Sequence, residues 1–375
     1  MTGLHRCWVE VSRARIAANF RAVREAVGAE IEVMPVVKAD AYRHGAIEVS
    51  RVLLDEGARW LAVSNVEEGA TLRMAGIAAR ILVMADFLPA ERDALVEHEL
   101  TPVIHSLDDL ADWNRRAVRY GSALAYHLKI DSGMGRLGTR GSAAEIANAV
   151  LSHRAVSLEG LMTHFASAGD YASSQTREQM AQFEQVRRGL AQAGIQPRYV
   201  HLASTIPISY GRREAWGNMV RPGHAIYGYV SPPRGNAPEP VLRVAPALEW
   251  KTQVLAIKEI PAGAPVGYGA MFRAARPTRV AVLAAGYADG IPHRLSNRGQ
   301  VIAAGKLTPI IGAVSMDLTT IDATDCPELQ AGGTVTLLGG ENGVSIDAQQ
   351  IARVAGTISY SVLCGISARV KRIYV

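Results

Sequence analysis

From about residue 12 to residue 225 the chain alternates between short apolar runs and amphipathic stretches, and few folds accept that pattern. The apolar runs fall at 31–37, 60–63, 80–84, 102–104, 126–130, 158–162, 199–202 and 218–220. They do not alternate cleanly between apolar and polar residues, which suits strands buried on both faces of a parallel sheet. Helix-start signals lie between them: Ser64 with Glu67 three residues on, and Ser106 with Asp109. About eight strand-then-helix units predict an α/β architecture of the (β/α)8 TIM-type barrel kind. An open doubly wound sheet is the rival, but no G-x-G-x-x-G follows an early strand.

The pattern changes near 231–246. Ser231-Pro232-Pro233-Arg234-Gly235-Asn236-Ala237-Pro238-Glu239-Pro240 reads as a linker. Beyond it, strand patterns at 248–260, 279–284, 300–304, 309–321 and 334–338 are punctuated by Gly and Pro, with helical patterning nearly absent until 347–355. The expectation is a barrel over residues 10–235, followed by a mostly β C-terminal domain over 236–375 that also takes in residues 1–9. A length of 375 residues agrees with two domains.

Bulk properties narrow the function. With 49% hydrophobic and 20% charged residues the composition is that of a globular chain. The net charge of +5 is small for this length, and the pairs Arg115-Arg116, Arg187-Arg188 and Arg212-Arg213 are isolated, which disfavours a nucleic-acid partner. Cys7, Cys326 and Cys364 have no C-x-x-C spacing, so neither a disulfide framework nor a metal site is expected, and a reducing, cytoplasmic compartment fits. No signal peptide is read in Met1–Ser12, and no apolar run reaches membrane-spanning length.

The chemistry is sought where barrel enzymes keep it, at the C-terminal ends of the strands. Only six lysines occur, and Lys38 and Lys129 both sit at predicted strand ends. An isolated lysine after two valines is ordinarily a surface residue; a desolvated one is a Schiff-base nucleophile. The other strand ends add Tyr42; Asp131 and Arg136; His164; His201, Ser204 and Thr205; and Arg221 and Gly223. Singly these are capping, turn or core residues, but convergence on one barrel mouth makes a site. Their types suit pyridoxal phosphate. Ser204-Thr205 and Gly223-His224 could hold a phosphate with Tyr42 opposite. Arg221 could face the pyridine nitrogen and, keeping its own proton, leave that nitrogen unprotonated.

Eight segments, in order, then resemble the alanine racemase family almost end to end: Val37-Lys38-Ala39-Asp40-Ala41-Tyr42-Arg43-His44-Gly45, Lys129-Ile130-Asp131-Ser132-Gly133-Met134-Gly135-Arg136, Thr163-His164-Phe165-Ala166, Arg221-Pro222-Gly223, Gly267-Tyr268-Gly269-Ala270, Gly286-Tyr287-Ala288-Asp289-Gly290, Ser315-Met316-Asp317 and Ile358-Ser359-Tyr360. The resemblance implies a pyridoxal-phosphate enzyme that interconverts L- and D-alanine with two opposed bases, Lys38 and Tyr268, the latter from the second subunit of a homodimer with shared sites. It implies His201 as the hydrogen-bonding activator of Tyr268, since a phenol with pKa near 10 is a poor base. It places Arg136 and the backbone of Met316 at the substrate carboxylate, with Asp317 beside them and Tyr287 at the entry. Lys129 would be carbamylated and orient Arg136. His164 would brace Arg221, and Tyr42, Thr205, Gly223, His224 and Tyr360 would hold the phosphate.

Arg43, the Ser204-Thr205 pair, His224, His293-Arg294 and Ser315 depart from the family's usual residues. They leave open a serine or broad-specificity racemase. Decarboxylation of a basic amino acid fits less well, because Arg221 stands where such enzymes carry a carboxylate. A non-enzymatic cofactor carrier would lack the second domain.

Overall fold

The computed structural model describes residues 5–85 and 87–375; the reading of residues 1–4 lies outside them. The described residues form two compact units. One takes in the residues up to Arg15, Tyr42–Gly45 and Pro246–Val375; the other takes in Ile16–Ala41 and Ala46–Ala245.

The second of these is the barrel. Six parallel strands run in sheet order through Trp60–Val63, Arg80–Val83, Thr101–Ile104, Leu124–Lys129, Val156–Met162 and Tyr199–His201. Glu32–Val33 and Met219–Val220 pair with each other in parallel. Backbone hydrogen bonds complete the ring, from Val37 to Ala62 at one join and from Asn218 to Val200 and Arg221 to Ala203 at the other. The first strand is shorter than its apolar run because Pro35 has no N–H to give the ladder; beyond it only Val36 bridges, to Ala62. Trp60–Val63 is buried at every position, as expected of a strand covered on both faces.

The helices between the strands start where their caps dictate. Ser106 accepts from the Asp109 N–H and begins Leu107–Tyr120, which buries Leu110, Trp113 and Ala117 along one stripe and ends at Gly121 with φ 62°. The start expected at Ser64 lies one residue on. Asn65 is the cap, accepting from the Glu68 N–H, and the Glu68 carboxylate reaches back to the Ser64 N–H at 2.7 Å.

The other unit is built round one long strand, Leu248–Ile260, which pairs antiparallel with Cys7–Val11, Thr334–Glu341 and Thr278–Leu283. Its first seven residues alternate buried and half-buried, so Leu248, Trp250 and Val254 enter the core. Lys371–Tyr374 pairs in parallel with Cys7–Val11 and extends the sheet. The run expected as one strand over 309–321 is two, Lys306–Pro309 and Thr319–Asp322, separated by a loop that carries Ser315, Met316 and Asp317. Asp347 caps Ala348–Ala355, and a second helix, Ser359–Gly365, follows.

Candidate active site

Lys38 opens a segment with unusual backbone. Ala39, Asp40, Ala41, Tyr42 and Arg43 all have φ between 52° and 67°, a left-handed turn made without glycine. That conformation costs an L-residue about 1–2 kcal/mol, so the turn needs anchors. Ala41 N–H donates to the Val37 carbonyl at 2.9 Å. Glu68 accepts from the Ala39 N–H at 2.7 Å, and Asp40 accepts from the Ala46 N–H at 2.8 Å. The turn that follows Lys38 thus has its backbone held on both sides. Sequence reasoning missed Glu68, although the Asn65-to-Glu68 spacing is itself a capping-box signal.

Arg221 follows Met219–Val220 and is 2% exposed. Its Nη1 donates to the His201 carbonyl and to His201 Nδ1, both at 2.8 Å. Its Nη2 donates to the carbonyls of Thr163 at 2.8 Å and Leu202 at 3.1 Å, and lies 3.4 Å from His164 Nδ1. Burial pushes the guanidinium down to about 9, which leaves it protonated at neutral pH. His164 is half-buried; burial, then the charges of Arg221, Lys129, Arg136 and Lys38, push it down to about 3. Lys129 is pushed down to about 8 by burial and by Arg136 and Arg221, against the opposing pull of Asp131.

The loop after Leu124–Lys129 is shaped by Asp131. Its Oδ1 accepts from the N–H groups of Gly133, Met134 and Gly135 at 3.2, 3.0 and 2.9 Å, and its Oδ2 from Arg140 Nε at 2.8 Å. Burial raises the Asp131 carboxyl, but these bonds outweigh it and hold it below the usual range. Arg136 rides exposed on that loop. Thr205 Oγ1 accepts from the N–H groups of Gly223 at 3.1 Å and Ala225 at 3.2 Å. With both lone pairs used, the Thr205 hydroxyl proton is the part able to meet a ligand. Ser204 stands half-buried beside it. The His224 ring packs edge-on against Tyr229, with centroids 5.1 Å apart.

One expectation is corrected here. His201 cannot activate Tyr268, because it is fully buried and both ring nitrogens are engaged, Nδ1 by Arg221 and Nε2 by His127 Nδ1 at 2.8 Å.

The β unit carries the remaining residues. Tyr268 is 76% exposed, in a turn framed by Gly267 at φ 71° and Gly269 at φ 68°. Tyr287 N–H donates to the Ser315 carbonyl and Ala288 N–H to the Met316 carbonyl, both at 2.9 Å, joining the two loops. A Cβ at Gly286 would stand 2.3 Å from the Ser315 carbonyl oxygen, so only glycine allows this approach. Asp317 Oδ1 accepts from Arg369 at 2.8 Å, which also grips Asp289, so that oxygen helps to hold the loop. The rings of Tyr42 and Tyr360 lie 5.9 Å apart, and Arg43 Nε donates to the Cys364 carbonyl at 3.4 Å.

A barrel mouth with Lys38, Arg221, Lys129 and Arg136 acting on one histidine has a strong excess of positive charge, which a dianionic ligand would offset. With Lys38 as the covalent partner and the Thr205 hydroxyl as a donor, the set fits pyridoxal phosphate. Fold and site together define a cofactor-dependent barrel enzyme with an appended β domain.

The comparisons with known proteins make the class specific. Residues 11–232 match the alanine racemase N-terminal domain, and residues 247–374 match the C-terminal domain. A relative named alanine racemase from Halothermothrix orenii is 39% identical over 368 residues, covering 98% of this chain and 96% of its own. The solved alanine racemase of a D-cycloserine-producing Streptomyces lavendulae superposes with a TM-score of 0.92 at 29% identity, covering 100% of this chain and 98% of the other. That of Bartonella henselae, described with covalently bound pyridoxal phosphate, superposes with a TM-score of 0.86 at 29% identity, each chain 99% covered. The chain belongs to the alanine racemase family, whose cofactor is pyridoxal phosphate.

Proposed function

We infer that this chain interconverts L- and D-alanine, with Lys38 and Tyr268 as the two bases. The observation that carries the reading is the buried Arg221, held by three carbonyls and His201, at a mouth where Lys38, Lys129 and Arg136 also converge on His164.

Pyridoxal phosphate, when bound, supplies an electron-withdrawing ring that makes the substrate α-hydrogen acidic. Lys38 would hold it covalently through Nζ. Thr205 would donate its hydroxyl proton to the phosphate, with Ser204 and the backbone at Gly223 and His224 near it, and the family resemblance adds Tyr42 and Tyr360. Arg221 would donate to the ring nitrogen and leave it unprotonated, which restrains side reactions.

The substrate carboxylate is assigned to Arg136 and the Met316 backbone, with Tyr287 at the entry. At about 8, the Lys129 amine is partly neutral at physiological pH, the form that takes up carbon dioxide. A carbamate there would turn a cation between Arg136 and Arg221 into an anion that orients Arg136. Inversion needs a proton taken at one face and returned at the other. Lys38 Nζ serves one face and the Tyr268 phenol of a second copy serves the other. The 76% exposure of Tyr268 supports its use by another molecule. His164, half-buried beside Arg221, is better placed than His201 to meet an incoming phenol. That no disulfide joins Cys7, Cys326 and Cys364 suits a cytoplasmic compartment, and a base supplied by a second copy calls for a homodimer.

The test is spectroscopic. Supplied with pyridoxal phosphate, the protein should turn yellow, and borohydride should fix the label on the peptide containing Lys38. A colourless protein, or a label on another lysine, would refute the reading. Rates with L-alanine, L-serine and L-lysine then settle the substrate; a clear preference for serine or lysine would displace alanine.

A further inference from the structure

The hydrogen bonds of Arg221 continue down the barrel interior to residues that the reaction does not otherwise use. A guanidinium only donates. His201 Nδ1, 2.8 Å from Arg221 Nη1, must therefore accept, and the His201 proton sits on Nε2. His201 Nε2 lies 2.8 Å from His127 Nδ1, which must accept in turn, placing the His127 proton on its own Nε2. That nitrogen, buried and without a hydrogen-bond partner, faces Glu159 Oε2 at 3.9 Å. Each tautomer follows from the one above it, so the chain has a single direction.

The barrel is shaped to hold this arrangement. Between Leu124–Lys129 and Val156–Met162 the register shifts after Tyr126↔Leu158 to His127↔Gly160, leaving Glu159 as an extra residue on its strand. Such bulges are rare in parallel pairs and re-aim a side chain. Arg80 grips the Glu159 carboxylate in two places, and its guanidinium lies 4.0 Å from the centroid of the Trp60 ring. Trp60 in turn packs 5.4 Å from His127. Gly160 makes the space: a Cβ there would stand 2.4 Å from His127 Nδ1. Both histidines are fully buried; burial, with the charge of Arg221 on each, pushes both below the ordinary histidine range.

We propose that His127 is a positioning residue for the reaction, one that accepts from His201 Nε2 and so holds the His201 ring, and through it Arg221, in the orientation that meets the cofactor ring nitrogen. The proposal rests on the role given to Arg221 above. Loss of the acceptor at 127 leaves the His201 Nε2–H buried and unpaired, which loosens the ring that orients the Arg221 guanidinium.

The experiment uses the full-length protein with histidine labelled with nitrogen-15, with and without pyridoxal phosphate. NMR should find His127 and His201 neutral and protonated on Nε2. An imidazolium at either position, or a proton on His127 Nδ1, overturns the proposal without any variant. In the loaded enzyme His127→Leu should lower kcat about tenfold, the equivalent of one buried hydrogen bond, with little change in KM and a shifted visible band. His127→Gln, which can still accept from His201, should restore both. A Leu variant with wild-type kcat and spectrum, or a Gln variant no better than Leu, overturns it. Wild type that binds no cofactor overturns the role of Arg221 and the purpose given to the chain, while the tautomers of the same sample still decide whether the chain exists.

Discussion

The segments that carry Lys38 and Tyr268 both enter left-handed backbone, by opposite means. After Lys38 five L-residues in succession have positive φ, held by Glu68, Asp40 and the Val37 carbonyl. Around Tyr268 two glycines take most of the positive φ, with only Ala270 beyond them, and the phenol stands out toward solvent. The difference teaches that one base is fixed by its own unit, strain included, whereas the other is presented on a turn of low intrinsic cost.

The largest effects should come from the bases themselves. Lys38→Ala should abolish borohydride-fixable colour and racemisation together. Tyr268→Phe should keep the colour and lower kcat by 10²–10⁴-fold, the usual worth of a positioned general base; full activity in that variant would remove Tyr268 from the mechanism.

Stability should divide the two turns next. Glu68→Ala strips the charged acceptor from the Ala39 and Ser64 N–H groups and should cost about 2–3 kcal/mol in denaturant unfolding. An unchanged midpoint would mean that the left-handed turn is anchored elsewhere. Smaller effects of opposite sign follow for glycine exchange. Ala39→Gly, at φ 52° on an exposed residue, should stabilise by roughly 0.5–1 kcal/mol. Gly267→Ala, at φ 71° with its Cβ 3.2 Å from the Ala313 nitrogen, should destabilise by about 1–2 kcal/mol. Equal signs would erase the contrast.

A pH series gives the last comparison. Lys129 falls to about 8 in the folded chain, against about 10.4 unfolded, so between these values the unfolded state binds more protons. Stability is therefore gained as pH rises from about 8 to about 10.4, and lost as pH falls through the folded value. In carbon-dioxide-free buffer, wild type should gain about 3 kcal/mol relative to Lys129→Met across that window. A parallel pair of curves would contradict the placement of Lys129 in a buried, cationic setting.

How much could be read in advance differs by region for physical reasons. All eight barrel strands were visible as apolar runs, since strands covered on both faces leave a composition signal. The left-handed turn was not visible: Ala39, Asp40 and Ala41 are residues that ordinarily favour right-handed backbone, and the anchor, Glu68, lies 29 positions from the N–H it holds. Lys38, Arg221 and Thr205 were legible as strand-end polar residues. The partners of His201 were not, because both ring nitrogens are claimed by residues 20 and 74 positions away, and no spacing rule relates them. The tie between Asp317 and Arg369, 52 residues on, was hidden in the same way.

The central claim is tested most directly with purified protein, pyridoxal phosphate and L-alanine in heavy water. The α-hydrogen should be replaced by deuterium as D-alanine accumulates toward an equal mixture, and Tyr268→Phe should suppress D-alanine formation. Retention of the α-hydrogen with no D-alanine formed by the coloured enzyme would contradict the account.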